Sequence, residues 1–99
     1  MHKQPDRVRM VKQITAALIA LLKEHGPDAF SIRGPLSITA DAAIKELARK
    51  LFDHGGLKAM HKAFDAVEDF AFVTFSDLEA SRICSCLDHR FDGVGGWWA

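Results

Sequence analysis

Large apolar side chains recur at Leu57, Met60, Phe64, Val67, Ala71 and Phe75, and a second apolar series follows at Ala59, Ala63 and Ala66, continuing into Phe70 and Val73. Projected at 100° per residue, the two series occupy adjoining faces of one helix over 57–75. Lys58, His61, Lys62, Asp65, Glu68 and Asp69 fill the remaining polar sector. A surface helix hides one stripe of about 100° or a little more. Here well over half the circumference is apolar, so the pattern predicts a central helix covered by neighbours on two sides.

The rest of the chain supplies those neighbours. Val8, Val11, Ile14, Leu18, Leu21 and Leu22 predict a helix over 5–25, with Pro5 in its first turn and Asp6 near the positive end of its dipole. Gly26-Pro27 close it, because glycine accepts the left-handed cap and proline cannot continue the helix. Ile44, Leu47, Ala48, Leu51 and Phe52 predict a second helix over 40–54 capped by Thr39. Gly55-Gly56 stop it and turn the chain into the central helix. Ser76-Asp77-Leu78-Glu79 has the form of a capping box and opens a fourth helix with Ala80, Ile83, Cys84, Leu87 and Phe91 on its core face. Between the first two helices, Phe30 and Ile32, then Leu36 and Ile38, alternate with polar residues around Arg33-Gly34-Pro35. That spacing allows a short β-ribbon over 30–38, although an isolated two-stranded ribbon is marginal and an extended loop is the favoured reading. The expectation is an all-α, four-helix single domain over 1–99.

Composition narrows the class. The 99 residues are 48% hydrophobic and 26% charged, the proportions of an ordinary soluble domain. No apolar run approaches the length of a membrane span, and no hydrophobic segment with a cleavage site follows the basic opening MHKQPDRVRM. Cys84 and Cys86, two apart on a helix, diverge and cannot pair. These features read as a cytoplasmic protein that does not engage a membrane. Net charge is zero, yet residues 1–50 carry nine Lys and Arg against five Asp and Glu, and residues 51–99 carry four against eight. The first half is therefore +4 and the second −4. From Ala63 to Ser81 there are five acids and no Lys or Arg.

Candidate chemistry is sparse. Cys84, Cys86 and His89 have a zinc-like spacing, but the thiols diverge on a helix and metal ligands must converge on one point. No His-x-x-x-His, Glu-x-x-His or Gly-x-Ser-x-Gly occurs, and GVGG in the tail lacks both the Lys-Ser/Thr and the helix of a phosphate loop. The expectation is a non-enzymatic protein with no cofactor and no metal. The helix pair around Gly55-Gly56 resembles a helix-turn-helix, with Leu57, Lys58, His61 and Lys62 near the start of a reading helix. No Arg, Asn or Gln stands there, and the same helix turns acidic two turns later, which disfavours nucleic acid.

The acidic run is the stronger feature. Asp65 and Asp69 are a like-charge i, i+4 pair with Glu68 beside them, a costly arrangement by a few tenths of a kcal/mol. Phe72 falls in the same sector, and Asp77 and Glu79 follow. An aromatic ringed by acids suits a basic partner with an apolar pocket, while the plainer reading has the acids solvating an exposed face and the tail covering Phe72. The tail, Gly93-Val94-Gly95-Gly96-Trp97-Trp98-Ala99, is costly to order, so its indoles must be anchored or left for a partner or for self-association. One indole is expected to cap the core near Phe72 or Phe91. Asp65, Glu68, Asp69, Phe72, Asp77, Glu79, Trp97 and Trp98 are the candidate partner-binding residues.

Over about a dozen residues, Leu87-Asp88-His89-Arg90-Phe91-Asp92-Gly93-Val94-Gly95-Gly96-Trp97, the chain resembles the C-termini of small proteins encoded by bacteriophages and prophages. Such proteins include the anti-CRISPR inhibitors, which are small, frequently acidic and act by binding. The resemblance implies an interaction protein, directed at a host protein complex such as a bacterial defence assembly. It carries over no functional residue, because these proteins share no binding motif. The competing expectation is a helix-turn-helix regulator of DNA.

Overall fold

Helices account for almost all of the computed structural model, which describes residues 3–26 and 37–97, with side chains described over 8–26 and 42–97. Three helices follow one another: α1 (Lys3–His25), α2 (Ser37–Thr74) and α3 (Asp77–Phe91). The helix expected to begin near Pro5 already includes Lys3, with Pro5 within its first turn, where a missing N–H costs nothing. Gly26 takes φ 67°, the left-handed cap predicted for it.

The helices expected over 40–54 and 57–75 meet at Gly55-Gly56 as the two arms of α2. α2 runs through Gly55-Gly56, with a kink at Gly56 (φ 69°, ψ −161°) as its one non-helical residue. The helical conformation breaks at this residue, as the sequence expects of Gly55-Gly56, and resumes directly after it. Lys23 and Glu24 at the end of α1 lie beside Phe70 of the second arm and beside Ala43 and Glu46 of the first, so the two arms fold back toward each other at the kink. Thr39, expected as an N-cap, lies inside α2, which already includes Ser37 and Ile38. The rest of the segment suggested as a ribbon, 30–36, lies outside the described residues.

α2 packs against both α1 and α3, and those two make no contact with each other among the described residues. The second arm of α2 touches both neighbours, with Phe70 beside Lys23 of α1 and Phe64 beside Phe91 of α3. Ile14, Leu18 and Leu22 of α1 meet Ile44, Ala48 and Leu51 of α2, and Met60, Ala63, Val67 and Ala71 continue the core toward Ala80, Ile83, Leu87 and Phe91 of α3. Every one of these side chains is buried, and each larger one contributes on the order of 1.5–3 kcal/mol relative to exposure. The small residues matter geometrically. Ala59, Ala63 and Ala71 let neighbouring helices approach α2 closely.

Several positions depart from the pattern. Val8 at the start of α1 is 53% exposed, and Phe52 and Leu57 beside the kink are only partly covered. Val73, placed on an apolar face by its spacing, is 87% exposed, although Ala71 two residues earlier is fully buried. Cys86 is buried while Cys84 is half-buried, the reverse of the expectation that Cys84 would be the core cysteine. The capping box at α3 forms as expected: the Glu79 amide donates to Ser76 Oγ at 3.2 Å, and the Ser76 amide donates to Glu79 Oε1 at 3.3 Å.

Candidate functional site: the α2–α3 turn and the tail

Phe75 and Ser76 connect α2 to α3 in a tight turn, which places the last residues of one helix beside the first of the next. Three apolar side chains within it face solvent: Phe72 (43% exposed), Val73 (87%) and Leu78 (64%). Their exposure has a simple cause. Phe70 and Phe75 turn inward instead, edge to face at 6.3 Å, and the Lys23 ammonium of α1 lies 5.5 Å from the Phe70 ring centre. That inward set consumes the cover available at this end of the molecule, leaving Phe72, Val73 and Leu78 outside.

The acids expected to ring Phe72 divide by role. Asp65, Asp69 and Asp77 are exposed. Glu79 is also exposed, but its Oε1 accepts hydrogen bonds from both the Ser76 amide and the Ser76 hydroxyl, the latter at 3.1 Å, so it holds the helix start. Glu68 is half-buried and faces α3, where its charge reaches Cys84. Burial first, and the Glu68 carboxylate second, push the Cys84 thiol above its ordinary value. A thiol so placed stays protonated at neutral pH and is a weak nucleophile. Among the described residues, no group of three or more His, Cys, Asp or Glu could hold a metal ion.

Trp97 belongs to a different place. Its indole stacks on His61 at 4.6 Å, meets Phe91 edge to face at 4.9 Å, tilts over Phe64 at 5.6 Å, and donates from Nε1 to Asp88 Oδ1 at 2.8 Å. Of the two anchoring points suggested by the sequence, Phe91 is the one used. Phe72 lies eight positions beyond Phe64, about 12 Å farther along the helix axis, and the Trp97 indole does not cover it. The intervening chain is a series of turns, with Val94 N donating to Phe91 O and Trp97 N to Val94 O. Gly95, at φ 58°, passes so close to the Phe52 ring that a methyl group there would collide with it. The tail thus touches α2 on both sides of the kink, at Phe52 before it and at His61 and Phe64 after it. Trp98 lies outside the described residues.

Sequence periodicity missed three participants. Cys86 and Val94 join the core, and Arg90 is buried in the last turn of α3, where a cation also suits the negative end of the helix dipole. The available signal was Asp88, which stands nine residues before Trp97 and gives the indole N–H an acceptor.

Comparison with protein-family models, curated proteins and solved structures gives no match to this chain. No helix among the described residues is long and apolar enough to cross a membrane.

Proposed function

We propose that the chain is a non-catalytic cytoplasmic module that binds a host or partner protein complex through the exposed surface at the α2–α3 turn. One observation carries this reading: Phe72, Val73 and Leu78 lie in solvent within seven residues of chain, beside the exposed carboxylates of Asp69 and Asp77. Apolar side chains gathered on a rigid turn and rimmed by charge make a contact surface rather than a solvated face. The complementary site is basic with an apolar pocket, the character of a protein surface on which nucleic acid lies. The C-terminal resemblance to small phage-encoded proteins makes a nucleic-acid-handling bacterial defence complex the partner class to examine first.

The competing reading is a DNA-binding regulator built on the helix pair around Gly55-Gly56. No Arg, Asn or Gln stands near the start of the helix that follows Gly56, and the same helix turns acidic two turns later, which weighs against nucleic acid. Affinity capture from bacterial lysate with the tagged chain, run beside Phe72→Ser/Leu78→Ser and Asp65→Asn/Asp69→Asn variants, tests the proposal. A partner retained by the parent and lost by both variants, with no gel shift of duplex DNA at moderate salt, supports it. Capture indifferent to both variants, or a duplex shift that salt abolishes, overturns it.

A further inference from the structure

Where α1 runs past the kink in α2, the helices leave a groove of about 630 Å³. Val8 and Val11 of α1 and Ala59 of α2 give it an apolar floor, and Gly55, lacking a side chain, deepens it. Lys12, Lys58 and Lys62 stand along its rim, joined by His54, and no acid lines it among the described residues. Among the described residues none of the three lysines is ion-paired. The spacing explains the arrangement. Val8, Val11, Lys12 and Thr15 share one face of α1, while Gly55, Lys58, Ala59 and Lys62 share one face of α2.

The geometry points to a binding site for a small anionic amphiphile, a monocarboxylate with an unbranched apolar body, lying in the groove with its charge among the lysines. Volume, floor and rim each bear on this class. Small-molecule sites run about 300–1,000 Å³ with apolar walls and a few convergent polar groups. The floor offers Val8, which is 53% exposed, and the uncovered part of Val11, so an apolar body gains by covering them. Lysine stems lie along apolar surface while their ammonium groups stay at the edge, where they meet a carboxylate without burying an unpaired charge. A neutral amphiphile would gain only the floor, and a cationic one would meet like charge. A nucleic-acid backbone would engage the rim and leave the floor empty. The site lies on the opposite helix pair from the α2–α3 turn, so it stands independently of the partner-binding proposal.

Sodium dodecanoate below its micelle concentration, titrated into the full chain and followed by amide chemical shifts, is the test, with 1-dodecanol and dodecyltrimethylammonium as comparison probes. Saturable binding is expected, with shifts concentrated at residues 8–15 and 54–62 and an affinity roughly tenfold or more above that of dodecanol. Lys12→Gln/Lys58→Gln/Lys62→Gln should weaken dodecanoate by a similar factor, and Val8→Asp should do so alone. All four positions are exposed, so the melting temperature of each variant reports whether the fold is intact. Equal affinity for all three probes, unaltered dodecanoate affinity in the intact triple variant, shifts mapping elsewhere, or no binding overturns the assignment. Concentration-dependent dimerisation that Val8→Asp abolishes would assign the groove to a second copy instead and equally overturn it.

Discussion

Gly56 is the residue on which the shape of α2 depends. Its φ of 69° and ψ of −161° fall in a region essentially reserved for glycine. Gly56→Ala should destabilise the fold by about 1–3 kcal/mol although nothing within 4 Å crowds a Cβ there, so the cost is backbone strain and not collision. A chemical-denaturation midpoint unchanged by the substitution would show that the kink is free to relax. Glu68 and Cys84 offer a second test at the same scale. The raised thiol value means that the folded state holds the proton more tightly, so any stabilising contribution is complete below the ordinary value of 9.0 and is lost only as pH climbs beyond it. Glu68→Gln removes the second of the two causes and should speed alkylation of Cys84 by iodoacetamide at pH 8. An unaltered rate would mean that burial alone governs the thiol.

Among the elements, the termini of helices were the most legible features, the break at Gly55-Gly56 included. Ser76 and Glu79 specify a helix start by local chemistry alone, and Gly26 specifies a helix end in the same way. Gly55-Gly56 carries the same local signal for a stop. At Gly56 the backbone leaves the helical region, and the chain folds back so that Ala59, Met60 and Ala63 are buried. Exposure at Val73 was not legible, because periodicity gives the face of a residue but not whether a neighbouring helix covers that face. The tail is the element whose anchoring followed from composition, since glycines before an indole must either fix it or waste it. Truncation after Asp92 removes Val94 and Trp97 with the Asp88 hydrogen bond and the contacts on both sides of the kink. It should cost more than about 1 kcal/mol, and Trp97→Ala alone about 1–3 kcal/mol, read as a lowered melting temperature. A truncated chain that melts like the parent would place the tail outside the fold's stability.

At the scale of the molecule, the charge asymmetry along the chain becomes an asymmetry of surfaces. The +4 half contributes α1 and the first part of α2, and Lys12 meets Lys58 and Lys62 across the groove at the kink. The −4 half contributes the α2–α3 turn, where Asp69 and Asp77 stand beside exposed apolar side chains. The separation was legible in the sequence, and the groove was not, because it exists only where a bend leaves two helices apart. Of the residues first singled out for partner contact, Asp65, Asp69, Phe72 and Asp77 present themselves at the surface, Glu79 is engaged in a cap, Glu68 turns toward α3, and Trp97 is held against His61 and Phe91. The central claim is that the α2–α3 turn is the face that binds a protein partner. Hydrogen exchange of the chain, alone and in complex with the captured partner, tests it most directly. The account predicts added protection concentrated over 65–80, with 8–15 and 54–62 unchanged. Protection confined to the groove or the tail, with the turn exchanging as in the free chain, would contradict it.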